Sequence, residues 1–553
     1  MASRRDELNA YSFARKRTNA AFLKPLPNGS IESAPKPLKA VVPSIIVSVL
    51  MLVGFGACGI LKPVAPQGWD KVGGNVLVGD KSTTRYVVLD DTANGKHQKL
   101  LHPVLNLASA RLLLNPDNFT VLKVDEKQLD GKISHGPAVG IPFAPDRLPA
   151  PEDVDKPKTW AVCNRPGSSS QSKPQQAVFV LGGDEKKKVE TREGKLDLNQ
   201  ALYVKGPDEK YYLVNSNGVK FEFDATFKLD APQHHKPMSK NDAKLANEKL
   251  RRMVFHGEEA QQVTQQWLDT LITSPLPIFE PEVPGAGMKS QAPANAVPDN
   301  LRTVGTVVED SASGKKYVVT QNDVEKVSDF IANMLRVGKN ADAVNHGSGR
   351  ELQVESLASG SINPASDEDG REDKKFYGKF AGYENPWPDD DVSMANTFKG
   401  TQTGLPTAAE SGVSCSVYKG TTTKFEGSAA FGYPNGVPVM GAWVGKDYPA
   451  KIAPGSNSYV TPGSGLLYRE AKTARTKKDE GSLFLVTDTG LRYSVPTNND
   501  GDKAGKADQE VGQNQMRLGY KDANVPSLMA SWSQLLSAGP ALNYKVAKQP
   551  QAS

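Results

Sequence analysis

Residues Ala40 to Leu61 read AVVPSIIVSVLMLVGFGACGIL, roughly 22 residues without a charge, long enough as a helix to cross a hydrocarbon core of about 30 Å. Lys36, Lys39 and Lys62 flank the run. Inside lipid the backbone must satisfy its own hydrogen bonds, so the reading is one membrane helix with Pro43 in its first turn. Gly54, Gly56 and Gly59 offer surfaces for close helix approach. A buried soluble helix is the competing reading. A cleaved signal peptide fits less well, because the run is long, starts late and lacks a small-x-small exit before Lys62-Pro63. With 38% hydrophobic residues over 553, the composition leaves room for one span and excludes a many-pass protein.

Arg4, Arg5, Arg15, Lys16, Arg17, Lys24, Lys36 and Lys39 precede the run against Asp6, Glu7 and Glu32. The positive-inside bias therefore places this arm in the cytoplasm and everything after Lys62 across the membrane. Asp6 to Leu23 is expected to form a basic helix whose Leu8, Tyr11, Phe13, Ala14 and Phe22 meet the membrane surface; a plain retention signal is the alternative. Net charge is +5, too dilute for a nucleic-acid footprint.

Of three cysteines, Cys58 lies in the apolar run, leaving Cys163 and Cys415 on the outer side. In an oxidising compartment the pair reads as one disulfide closing a loop of about 250 residues, a staple on the order of 4 to 5 kcal/mol. Two separate buried thiols remain the alternative. No metal site is expected: neither cysteine has a CxxC partner, and His234-His235 sits in a polar loop between prolines.

The outer portion echoes itself. Tyr211 to Phe223 (YYLVNSNGVKFEF) and Leu483 to Val495 (LFLVTDTGLRYSV) are both hairpins by pattern, with Gly218 and Gly490 in their turns. Trp267-Leu268-Asp269-Thr270-Leu271 later answers Trp532-Ser533-Gln534-Leu535-Leu536. A looser pair begins at Arg85 to Leu89 and Lys316 to Thr320, each leading to a helical pattern, Val104 to Leu114 and Val324 to Leu335. The fold class expected is a single-pass membrane protein with a mixed α+β, β-rich extracytoplasmic domain: four small hairpin-plus-helix repeats around a central β core.

The expected organisation is a basic arm at 1–39, the membrane helix at 40–61, and a first repeat at 62–130. The first part of the core follows at 131–185, with Thr159 to Cys163 and Ala177 to Leu181 as strands, then a second repeat at 186–282. A linker (Val283 to Asp299) and third repeat fill 283–345. The second part of the core, 346–465, includes Ser414 to Tyr418, Val437 to Val444 and a polar loop over 356–382, read as a mobile loop or an insertion; the fourth repeat is 466–553.

Ala40-Val41-Val42-Pro43, Gly59-Ile60-Leu61-Lys62-Pro63, Leu101-His102-Pro103-Val104-Leu105-Asn106-Leu107, Trp160-Ala161-Val162-Cys163, Thr487-Asp488-Thr489-Gly490 and Gly539-Pro540-Ala541-Leu542 stand in the order found in EccB, which the chain resembles over nearly its full length. EccB is the membrane component of actinobacterial type VII (ESX) secretion systems. The chain departs from it at Lys186 to Lys188 and over Ser356 to Gly382. The resemblance implies a cytoplasmic arm, one membrane helix, four outer repeats around a disulfide-bearing core, and assembly with EccC, EccD and EccE.

Members of that family are sometimes labelled ATPases, yet the sequence holds no GxxxxGK[ST]. Ser313-Gly314-Lys315-Lys316 lacks the upstream Gly and the hydroxyl that phosphate and magnesium need. No GxSxG elbow is present; Ser464, between glycines, has no evident His partner. Asp389-Asp390-Asp391 lacks calcium-loop spacing. The expectation is a structural and assembly subunit with no catalytic residue, cofactor or metal ligand, in which Arg4 to Leu23 and the apolar helix contact partner subunits. The outer repeats self-associate or contact the cell wall. The alternatives are an ATP-hydrolysing secretion component and an extracytoplasmic cell-wall-binding protein or hydrolase.

Overall fold

The structure, a computed structural model, describes residues 3–23, 38–60, 65–93, 96–116, 119–167, 173–191, 193–229, 238–380, 383–396, 412–424, 436–472, 480–496 and 512–551. His234-His235 lies outside them. Two helices come first, Arg4–Leu23 and Leu38–Ile60. The second covers the uncharged run up to Ile60, and its described apolar side chains are exposed from Val41 to Val53 and at Phe55. Among the described residues no helix is long and apolar enough to cross a membrane.

Among the described residues, five larger sheets follow. The central one runs Val437–Gly445, Val413–Thr423, Thr159–Arg165, Gln175–Leu181, Ser458–Val460. Its pleat sends Trp160, Val162, Val178 and Val180 to one face and Ala161, Cys163, Ala177 and Phe179 to the other. Both faces are covered, which is why Trp160–Cys163 and Ala177–Leu181 are apolar without interruption instead of alternating with polar residues.

The four surrounding sheets are of two kinds. The first has the order Lys96–Pro103, Arg85–Ala93, Asn75–Gly79, Thr120–Val124, with the last pairing parallel. The third repeats that order as Val324–Val327, Lys316–Val319, Val307–Asp310, Glu355–Leu357. The second is built on Gln200–Lys205, Tyr211–Asn215 and Val219–Glu222, with Gln261–Gln262 and Ile272–Thr273 as parallel edges. The fourth has Leu466–Ala471, Ser482–Val486 and Leu491–Ser494, edged by Ser527–Met529 and Ser537–Ala538.

Shared cores decide how the sheets sit together. Val76, Val87 and Leu112 of the first pack with Leu467, Leu485 and Leu518 of the fourth. Leu213, Phe221 and Leu250 of the second pack with Val318, Phe330 and Leu335 of the third. Between these two pairs the central sheet receives Trp267 from the second and Trp532 from the fourth.

Several expected elements differ. The helix expected from Val104 starts at Leu107, because the Asn106 side chain accepts from Ser109 N–H and caps it there. Val104 N–H instead bonds Arg85 O. Val324–Val327 is a strand, since it pairs antiparallel with Lys316–Val319 and sends Val324 and Val327 into different cores; the helix follows as Asp329–Val337, capped by Ser328. The polar stretch expected to be a mobile loop packs onto the third sheet, as far as it is described. Ile362 and Phe376 are buried, and Lys326 and Phe376 N–H groups bond Lys374 O and Lys326 O. The expected linker also packs, burying Val283, Ala292, Ala296 and Val297. The third sheet takes its edge Glu355–Leu357 from beyond 345, and Trp387 and Val392 belong to the core of the second and third sheets.

Candidate membrane and assembly surfaces

Cys415 and Cys163 are directly opposed on neighbouring antiparallel strands, their Cα atoms 4.0 Å apart, and form a disulfide. Both are fully buried. One residue away, Ser414 opposes Asn164, and both face a glutamine that sequence patterns do not flag. Gln261, on a two-residue strand, is wholly buried. Its Nε2 donates to Asn164 O and Gly412 O, both at 3.3 Å; its Oε1 accepts from Asn396 Nδ2 at 3.1 Å and Ser414 Oγ at 2.6 Å. Asn396 Nδ2 also donates to Tyr203 O. One side chain thus fastens the stapled strands to the second sheet.

The two tryptophans secure the same junction. Thr264 caps the turn Gln265–Leu268, and Trp267 Nε1 donates to Val162 O at 2.9 Å. Trp532 sits 5.8 Å from Tyr418, while Tyr468 meets Trp160 edge-on at 6.1 Å. A cation braces each turn. Lys220 Nζ donates to Leu268 O at 2.7 Å beside the Tyr212 ring, and burial pushes its ammonium pKa down. Arg492 Nε donates to Leu536 O at 3.3 Å over the Phe484 ring. Lys220 and Arg492 occupy the same place in the two echoing hairpin strings; that coincidence was the available signal for their role.

The residues singled out for chemistry are engaged structurally. Ser464 Oγ donates to Asp153 Oδ2 at 3.0 Å, and the nearly buried Lys158 donates from Nζ to Asp153 Oδ1 at 2.8 Å. Burial pushes the Asp153 carboxyl up, but Lys158, Ser464 and the Gly465 N–H outweigh it and hold the group below its usual range. The Ser313-Gly314 turn is filled by its own carboxylate: Asp310 Oδ1 accepts the Ala312 and Ser313 N–H groups at 3.0 and 2.8 Å. Lys316 Nζ is held by Asp329 at 2.8 Å and Glu309 at 3.6 Å. An anion already stands where a phosphate would have to sit. Asp389 to Asp391 are exposed, and among the described residues no group of three or more His, Cys, Asp or Glu is placed to hold a metal.

An open cavity of about 560 Å³ includes Gln175, Asp447, Tyr448, Lys451, Ile452 and Asn457 in its lining. The Tyr448 ring has Arg165 over it at 4.5 Å and Phe179 tilted against it at 5.6 Å. Exposed apolar side chains concentrate in the two leading helices: Leu8, Tyr11, Phe13 and Phe22 in one, Val41 to Val53 and Phe55 in the other.

Rigid interlocked sheets, a buried staple and two helices with uncovered apolar surface define a scaffolding type of protein. The chain belongs to the family described as "Type VII secretion system ESX-1, transport TM domain B", which matches residues 1–551. It is therefore an EccB-family component of an ESX type VII secretion system. It is similar to the "ESX-3 secretion system ATPase EccB3" of Mycolicibacterium smegmatis, 24% identical over 516 residues, covering 92% of this chain and 83% of that one. It is also similar to the "ESX-1 secretion system ATPase EccB1" of Mycobacterium tuberculosis H37Rv, 34% identical over 146 residues, 26% of this chain and 27% of that one. The solved structure described as "Structure of EccB3 dimer from the ESX-3 core complex" has a similar fold: TM-score 0.51, 22% identity, 85% of this chain and 99% of that one.

Proposed function

We propose that the chain serves as a structural and assembly subunit of the secretion membrane complex. The helix Leu38–Ile60 crosses the bilayer once, the basic arm stays in the cytoplasm, and the sheets stand on the extracytoplasmic side. The apolar helix binds EccC-, EccD- and EccE-type subunits, and the sheets self-associate and contact the wall. The observation that carries this reading is the pairing of an exposed apolar helix with a body stapled by a buried disulfide. A disulfide persists in an oxidising compartment, and apolar side chains exposed along most of a helix need lipid or protein around them. That the relative from ESX-3 is described as a dimer supports self-association.

The test is affinity purification after mild detergent extraction, comparing the full chain with one lacking residues 1 to 61. Loss of the co-purifying membrane subunits supports the assembly role. The relatives' names carry the word ATPase. ATP hydrolysis by the purified chain, abolished by a point substitution, would replace the assembly reading with the enzymatic one.

A further inference from the structure

We infer that the helix Arg4–Leu23 is a docking element for the anionic lipid surface next to the apolar helix, an inference that rests on that helix crossing the bilayer. The first observation is that the helix is uncovered. Leu8, Tyr11, Phe13 and Phe22 are 73%, 73%, 60% and 90% exposed. Among the described residues, no ion pair joins Arg4, Arg5, Arg15, Lys16 or Arg17 to an acid, and the helix's side-chain hydrogen bonds, such as Thr18 Oγ1 to Ala14 O, stay within it or its first turn.

The second observation is where the side chains fall around the axis. At about 100° per residue, Leu8, Tyr11 and Phe22 lie within an arc of about 60°, and Arg4 and Arg15 fall inside the same arc. Asp6 points to the opposite side, with Phe13, and Glu7 borders the stripe. Guanidinium groups alternating with an aliphatic and two aromatic side chains fit a layer where phosphates and acyl chains are a few ångströms apart. There arginine stems lie along apolar surface with their heads on phosphate, and Tyr and Phe sit at headgroup depth.

Charge complementarity and reach decide the occupant. Residues 4 to 23 carry five cations and two anions, Arg4, Arg5, Arg15, Lys16 and Arg17 against Asp6 and Glu7. Between Leu23 and Leu38 lie 14 residues, which extend at most about 50 Å. A helix of about 30 Å on such a tether stays within reach of the bilayer that holds its anchor, at high effective concentration.

The experiment uses the full chain in lipid nanodiscs, of phosphatidylcholine alone or with equal parts of phosphatidylglycerol. On a Cys58→Ala background, single Leu8→Cys, Phe22→Cys, Phe13→Cys and Leu50→Cys variants carry an environment-sensitive fluorophore. Labels at Leu8 and Phe22 are expected to be quenched by doxyl lipid and protected from iodide in the anionic discs, and to lose this in high salt. The label at Phe13, across the axis, remains open to iodide. Arg4→Gln and Arg15→Gln each lower the bound-to-free ratio roughly fivefold. Equal signals in both lipids overturn the proposal, as does protection from iodide and doxyl lipid alike, which would mark a protein contact. The Leu50 label separates the two readings: lipid-quenched in both discs with Leu8 and Phe22 aqueous, the crossing stands and the surface docking fails; aqueous at Leu50, the crossing fails and takes the docking with it.

Discussion

Replacing Gln261 by leucine keeps nearly the same volume and removes four hydrogen bonds from a site with no solvent exposure. The two short contacts, Ser414 Oγ at 2.6 Å and Asn396 Nδ2 at 3.1 Å, weigh about 1 to 1.5 kcal/mol each; the two carbonyl contacts at 3.3 Å weigh well under 1 each. Asn396 keeps its bond to Tyr203 O, which limits the penalty on that group. The expected loss is about 3 kcal/mol, concentrated where the second sheet meets the stapled strands. Urea unfolding followed by tryptophan emission reads it directly, because Trp160 and Trp267 lie at that junction. Gln262→Leu, one residue on and exposed, is the control and should shift stability by less than about 0.5 kcal/mol. A Gln261→Leu loss below about 1 kcal/mol, or equal losses in the two variants, would refute the claim that this network fastens the junction.

Other expectations are as direct. Cys163→Ala with Cys415→Ala releases a loop of sequence separation 252 and should cost up to about 5 kcal/mol. With both sulfurs buried, a reductant should act on the folded wild type only as fast as the central sheet opens, which thiol-trapping over time measures. Asp153, held below its usual range when folded, adds stability that is complete above its unfolded pKa of about 4 and disappears as pH falls through the lower folded value. Thermal unfolding of Asp153→Asn should therefore lie below wild type at pH 6 and converge with it toward pH 2.5. Arg517 Nη1 donates to Leu112 O and Leu114 O at 3.0 and 3.1 Å and its guanidinium lies over the Tyr544 ring, so Arg517→Met should loosen the joint between first and fourth sheets by about 2 kcal/mol, seen as faster hydrogen exchange over 107–113.

Local pattern determined a good deal here. An uncharged run of this length forms a helix, and the strings around Gly218 and Gly490 form hairpins, whose turn glycines take φ of 68° and 79° where a side chain would be strained. Periodicity does not determine which way an ambiguous segment goes. Val324 to Leu335 has helical spacing throughout, but a neighbouring strand captured its first four residues and Ser328 capped what was left. Nor does composition separate a linker from a packed segment when small apolar residues such as Ala292 and Ala296 fill gaps beneath a sheet.

Gln261 shows the deeper division. Its role comes from Asn164, Asn396, Gly412 and Ser414, residues up to 153 positions away in the chain, and no local signal marks a polar side chain that four distant groups will surround. Sequence sets what each short segment prefers, because those preferences depend on neighbours along the chain. The junction between sheets, the placement of cysteines 252 residues apart in opposing register, and the engagement of every candidate nucleophile were decided by tertiary contacts, because burial and hydrogen-bond satisfaction depend on neighbours in space.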